Sequence, residues 1–465
     1  MAATYDPALA PSIRGFLARC GLPPSTLGRC WASVRELYPA AEIRESPSQG
    51  YCSVTFCVGA DLVVQFRPVA HQLDVELAGT VKQVYGEFAP ETRLVGRLDC
   101  GDQGCEGNAS SSPVLLIYSM SRVPGYSLAE HRIKLAELAS PALALATAAV
   151  PGPASAPPGS NPGLDSFSDR ESLVRDFARF LARGWSAAQR DPDVPRRTGK
   201  VGSTLRQRVE MMHRDLPARF RPAVEKALAS LAAVEALPWT LTHGDVVPSN
   251  LMVEPPVPLL LRRSTGGAAA ADDDDDDDTA PLRLTALLDW AEAEHLPFGV
   301  GLYGAEELFG QTETPWDAVG PYPPRGSRFA YFADADALRT ALWDELEARI
   351  PALRSDARLR GTVEAARRLG LLLWHGIAFD DGRLDRVVQE GRDDEEIQRL
   401  DLFLLGRRSD DAASGVWEDN DDDDDGPAAP QGQERVRRPS LSDVVKRTWA
   451  YVRCLGLSGP FFGKL

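Results

Sequence analysis

The chain has 465 residues, 43% hydrophobic and 25% charged, and a formal net charge of −16, the balance of a folded protein with room for two or three domains or one two-lobed enzyme. Most of that charge is local: Asp272–Asp278 carry seven negative charges and Glu418, Asp419 and Asp421–Asp425 seven more, leaving the remainder at about −2, with no basic surface suited to nucleic acid. The N-terminus lacks the apolar core of a signal peptide, no run reaches the roughly 20 apolar residues of a membrane span, and an odd count of seven cysteines suits a reducing compartment, so a soluble, cytoplasmic protein is expected.

In chain order, residues 1–40 read as an N-terminal helical extension, with Ile13, Phe16, Leu17 and Cys20 on one face and a second helix from Trp31 to Leu37. Residues 41–121 read as a small β-rich lobe. Tyr51 to Val58 and Leu62 to Phe66 are strands joined by a turn at Gly59-Ala60-Asp61, Leu73 to Tyr85 a helix, and Pro113 to Met120 a buried strand. Residues 122–408 read as mainly helical, with flexible insertions at about 139–166 and 255–281. Leu173, Val174, Phe177, Phe180, Leu181 and Trp185 fall on one helical face, and helices are expected at Leu205 to Leu216, Ala223 to Leu237, Ala335 to Ile350 and Val363 to Phe379. The fold class is therefore α+β, with one short β island around 240–290 in the second half. Residues 409–434 read as an acidic linker, and 435–465 as a basic amphipathic helix that packs on the rest of the chain or, less favoured, meets a protein partner or a membrane surface.

The island holds the chemistry. Thr240-Leu241-Thr242-His243-Gly244-Asp245 is followed by Asn250, five residues past the aspartate, and later by Leu287-Leu288-Asp289-Trp290. Phosphoryl transfer needs a carboxylate to take or orient the proton of the attacking hydroxyl, and oxygen ligands to hold magnesium on the nucleotide phosphates. Magnesium takes few carboxylates from a protein, which suits Asn250 with Asp289. A strand ending at Asp289 that returned antiparallel to Leu251-Met252-Val253 would bring its acid to the loop. Asp and Asn also populate ordinary turns, and His243 also reads as a plain buried histidine.

The segments L-T-H-G-D-x-x-P-S-N-L-M-V and L-L-D-W resemble the aminoglycoside-phosphotransferase-like family, relatives of the protein-kinase fold. The A-E-A-E-H-L-P-F-G-V-G-L-Y-G that follows is similar to its fungal members. The resemblance implies a two-lobed protein-kinase-like fold, with ATP and Mg2+ bound between a β-rich lobe and a mainly α lobe. It implies Asp245 as catalytic base, Asn250 and Asp289 as metal ligands, and His243 as a structural support of the catalytic loop. In the nucleotide lobe it implies a phosphate-covering loop near Gly50, which reads equally well as a polar turn. It also implies a strand cation at Arg67, where relatives use lysine, and a pairing acid at Glu76 or Asp74. An adenine-facing segment is expected at Tyr118 to Met120. Trp290, Glu292 and Glu294 are candidate acceptor contacts. With Glu306 and Glu307, these glutamates would suit a cationic acceptor or be solvated helix residues.

Two functions stand on the sequence. One is an ATP- and Mg-dependent phosphotransferase acting on a hydroxyl of a small molecule. The other is a catalytically weak or inactive nucleotide-binding scaffold, which the missing strand lysine would allow. Protein kinase activity is disfavoured by H-G-D in place of H-R-D and D-W in place of D-F-G.

Overall fold

A computed structural model describes residues 11–47, 49–100, 113–138, 166–191, 193–254, 281–313, 326–380 and 383–406. Both acidic runs, most of each insertion and the C-terminal helix lie outside the described residues. The chain divides into two compact units, one made of residues 1–75, 91–122 and 416–465, the other of 76–90 and 123–415.

The first unit is built on a five-stranded antiparallel sheet. Its strands are β1 (Ile43–Glu45), β2 (Val54–Val58), β3 (Leu62–Pro68), β4 (Thr92–Asp99) and β5 (Val114–Ser121), in the order β1-β2-β3-β5-β4. Val54 pairs with Phe66 and Phe56 with Val64, so period-two alternation collects these side chains on one face. There they meet Phe16 of α1 (Pro11–Arg19) and Leu27, Cys30 and Val34 of α2 (Ser25–Leu37), all fully buried. Trp31 and Phe66 each stand edge-on to Phe56, with centroids 5.0 and 5.8 Å away. Each such phenylalanine contributes about 1.5–3 kcal/mol by burial. The strand expected from Tyr51 begins only at Val54. Before it, the Gln49 side chain closes a loop, donating to the carbonyls of Ser46 and Thr55 and accepting from the Thr55 N–H, each at 2.8–2.9 Å.

The second unit is mainly helical. Its central helix, Phe167–Arg190, starts with a capping box between Ser166 and Asp169 and buries Leu173, Val174, Phe177 and Phe180. Helix Ala335–Arg349 packs along it, and helix Ala357–His375 packs against Arg221–Glu235. Among the described residues, no helix is long and apolar enough to cross a membrane.

The α+β class holds, with more β structure in the second half than its one expected island. Gly310–Glu313 pairs with Arg328–Tyr331, and Ile377–Asp380 with Arg383–Val387. The helix expected to run to Phe379 stops at His375. Gly376 follows, where a Cβ would lie 2.5 Å from the Leu372 carbonyl oxygen, and the chain turns there into a strand. A short apolar run fits helix and strand equally, and the pairing partner decides.

Candidate active site

The site is assembled by two small sheets of the second unit. β6 (Tyr126–Ser127), β8 (Leu251–Glu254) and β9 (Arg283–Leu287) form one, and β7 (Trp239–Thr242) with β10 (Glu294–Pro297) the other. β7 is wholly buried, with Trp239 and Leu241 in the core and the Thr242 hydroxyl donating to the Thr240 carbonyl at 3.2 Å, and it delivers His243-Gly244-Asp245 to the loop before β8. β9 returns antiparallel to β8 with Leu287 opposite Leu251, and the Leu288 N–H donates to the Asn250 carbonyl at 2.8 Å. Asp289 is the next residue, so this register sets it at the loop that carries Asp245 and Asn250.

Each member of the loop is held. The His243 ring, 1% exposed, accepts the Asp245 N–H at Nδ1 (3.2 Å), so its proton sits on Nε2 and is donated to the Leu288 carbonyl at 2.8 Å. Burial pushes its pKa down to about 4, against the pull of these bonds and the Asp289 charge, so the ring is neutral and clips this loop to the end of β9. Trp290 stands edge-on to it at 4.5 Å, stacks near Tyr85 and Phe180, and donates its indole N–H to the Leu287 carbonyl at 2.8 Å. That side chain, a candidate acceptor contact from sequence, is engaged in packing around His243.

The Asn250 amide nitrogen donates at 3.0 Å to both the backbone carbonyl and Oδ2 of Asp245, which turns its amide oxygen away from Asp245. Asp245 itself is pushed up to about 6 by burial and by the charges of Asp289 and Glu292, with the Asn250 hydrogen bond opposing. Asp289 has φ +60°, a left-handed conformation shared among described non-glycine residues only with Arg197. Strain of this kind persists where the surroundings over-determine it, commonly at functional sites. Gly244 has φ +79°, and a Cβ there would lie 2.2 Å from the Glu292 carbonyl oxygen.

Among the described residues, no three His, Cys, Asp or Glu side chains come together to cage a metal. The donor chemistry of Asn250 and Asp289, one amide oxygen and one carboxylate, fits magnesium completed by phosphate oxygens and water.

The four acidic residues read as a wall for cations already have partners within the chain. Glu306 is 1% exposed, pairs with Arg367 at 2.5 Å and accepts from the Tyr331 hydroxyl at 2.6 Å. Glu307 pairs with Arg399 at 2.6 Å and Glu292 with Lys200 at 2.8 Å. Glu294 accepts the N–H groups of Val201 (3.0 Å) and Gly202 (2.8 Å) and so holds the 199–204 turn. The buried Glu306 and Glu307 need partners and find them in arginines far away in sequence, while the part-exposed Glu292 and Glu294 are engaged by Lys200 and by two backbone amides. Glu294→Gln leaves one acceptor atom where two were used. It is expected to cost about 1–2 kcal/mol in urea unfolding and to speed amide exchange at Val201 and Gly202.

The nucleotide-side candidates divide between the units. By register, Arg67, Gln65, Tyr118 and Met120 share the face of the first unit's sheet opposite α1 and α2. Arg67 is 5% exposed and donates to Gln65 Oε1 at 3.0 Å, and the Tyr118 hydroxyl accepts from the Leu73 N–H at 3.0 Å. Gly50 stands in the Gln49-closed loop, where a Cβ would meet Ser53 Oγ at 3.0 Å. Glu76 belongs to the second unit, exposed in the first turn of α3 (Val75–Tyr85). Two residues of the site escaped sequence reading, Gly244 as a close approach and Tyr303, whose hydroxyl accepts the Val246 N–H. Tyr303 carried no sequence signal beyond its place in the G-L-Y-G run.

The profile of the phosphotransferase enzyme family matches residues 132–259, a segment that holds His243, Asp245 and Asn250. The chain thus resembles that family over the segment that carries this loop. Several solved structures are similar to it over most of their length. The GDP complex of aminoglycoside 2'-phosphotransferase-IIIa is 10% identical, with 74% of this chain and 97% of that one covered at a TM-score of 0.34. A macrolide 2'-phosphotransferase from Brachybacterium faecium is 15% identical, with 73% and 97% covered and a TM-score of 0.34. A putative aminoglycoside phosphotransferase from Ralstonia eutropha is 13% identical, with 73% and 94% covered and a TM-score of 0.33. Likeness of that extent carries no statement about this chain's substrate. No curated relative matches the sequence.

Proposed function

We propose that this chain transfers the γ-phosphoryl group of ATP, with Mg2+, to a hydroxyl of a small molecule. The observation that carries the reading is the convergence of Asp245, Asn250 and Asp289 at the head of β8 and β9, with neutral His243 clipping the loop in place. Asp245 holds the position of the base. Its carboxylate would orient the acceptor hydroxyl and take its proton as the oxygen–phosphorus bond forms, with ADP leaving. Asn250 and Asp289 would hold the magnesium, which would supply charge neutralisation on the phosphates. Transfer would be direct and in line, from Mg-ATP to the acceptor oxygen, without a covalent enzyme intermediate.

Asp289→Ala is expected to weaken Mg-dependent binding of an ATP analogue by at least tenfold, measured by calorimetry with and without Mg2+. Magnesium-independent binding of equal strength in both proteins would remove the metal assignment. Turnover is tested by ATP consumption over a panel of hydroxyl-bearing metabolites, with Asp245→Asn as the blank. Nucleotide binding without turnover on any acceptor would favour the scaffold reading, which the hydrogen bond between Arg67 and Gln65 in the lysine's place makes specific.

A further inference from the structure

Asp245 has its own N–H anchored on His243 Nδ1 and its carboxylate on Asn250. The next amide, that of Val246, is anchored separately. Its N–H donates at 3.0 Å to the hydroxyl of Tyr303, a residue 57 positions later in the helical turn Val300–Ala305. Tyr303 is 5% exposed and stacks on Trp374 at 4.7 Å with an interplanar angle of 16°, so its hydroxyl has little freedom to wander. Val246 is also wedged against the same turn: a Cβ on Gly304 would lie 2.5 Å from its side chain.

We propose that Tyr303 is a positioning residue for the phosphoryl-transfer step, fixing the Asp245–Val246 peptide so that the Asp245 carboxylate faces the acceptor hydroxyl. The inference rests on the reading of Asp245 as base. The physical reason is that the two peptide planes meeting at the Asp245 Cα are each held at their N–H, the first on His243 and the second on Tyr303, so neither rotates freely. Without the Tyr303 hydroxyl the Asp245–Val246 plane is held only at its carbonyl, by the Asn250 amide, and can tilt about that bond, shifting the Asp245 Cα–Cβ direction. A displacement near 1 Å at a reacting group costs about 100-fold in rate. Tyr303→Phe keeps the ring and its stack on Trp374 and removes only the acceptor oxygen.

Two measurements on the full chain test this. Amide exchange at Val246 is read by NMR or mass spectrometry without substrate, and steady-state hydrolysis of Mg-ATP, with water as acceptor, is read for kcat and KM. Tyr303→Phe is expected to speed Val246 exchange by at least tenfold, to lower kcat by about 10–100-fold, and to leave KM for ATP within twofold. Unchanged exchange would show that the hydroxyl does not hold the amide and would overturn the inference. Faster exchange with unchanged kcat would reduce Tyr303 to a packing residue, also overturning it. A merely structural role would lower kcat and raise KM together as the fold loosens. A wild-type chain that turns over ATP neither with water nor with any acceptor of the hydroxyl panel would instead sink the phosphotransferase reading, and the exchange result alone would then decide whether Tyr303 holds the loop.

Discussion

Asp245→Asn is expected to lower turnover by about two to four orders of magnitude, the range of a positioned general base, while leaving ATP affinity close to that of the native chain. The same substitution is expected to stabilise the metal-free protein at pH 8 by about 2–3 kcal/mol, because the buried carboxyl is held up at about 6 against 3.8 for an ordinary aspartate. The folded state binds this proton more tightly than the unfolded chain. Below pH 3.8 both states are protonated and the group makes no difference. Between 3.8 and 6 the unfolded chain ionises first, so native stability falls as pH rises, and above 6 the full penalty stands. Asparagine has no such slope and still accepts the Asn250 amide. Urea unfolding of both proteins at pH 4 and pH 8 reads the difference. Equal turnover by the two proteins would remove Asp245 from the chemistry, and equal slopes with pH would remove its raised pKa. Magnesium at Asn250 and Asp289 would offset the Asp289 charge, so the stabilising gain should shrink when Mg2+ and nucleotide are added.

Gly244→Ala is expected to cost roughly 2–5 kcal/mol of stability, combining the left-handed backbone penalty with overpacking. The clash would fall on the Glu292 backbone oxygen, which cannot rotate aside as a side-chain tip could. On either side of the glycine the chain is already held, by His243 at the Leu288 carbonyl and by Val246 at Tyr303. Glu292 itself lies in the short helical turn Trp290–Glu292 that follows Asp289. Relief must therefore separate the catalytic loop from the end of β9. An unfolding midpoint equal to that of the native protein would contradict the close approach.

Much of the catalytic loop was legible because its signals are local. Asp245 and Asn250 lie five residues apart, and a run of apolar residues before Asp289 reads as a strand whose end needs no further information. The first unit was legible for a similar reason: Val54, Phe56 and Val58 alternate with period two, and Gly59-Ala60-Asp61 is turn chemistry. The partners of side chains were not legible. Glu292, Glu294, Glu306 and Glu307 look alike as four acids in one stretch, yet Lys200, the Val201 and Gly202 amides, Arg367 and Arg399 each claim one of them. Burial makes the pairings of Glu306 and Glu307 obligatory, and sequence separation hides all four.

By itself, then, the amino-acid sequence determined the α+β class, the identity of the loop residues Asp245, Asn250 and Asp289, and a resemblance to phosphotransferases. Those rest on local spacing and on periodicity, which chain neighbours impose on one another. Only the tertiary structure decided that His243 is neutral and bonded to the end of β9, that Trp290 stands edge-on to its ring, and that Tyr303 holds the amide after Asp245. Each of these depends on which groups meet after the chain has closed loops of tens of residues, where burial strips away water and every polar atom must find its partner in the protein.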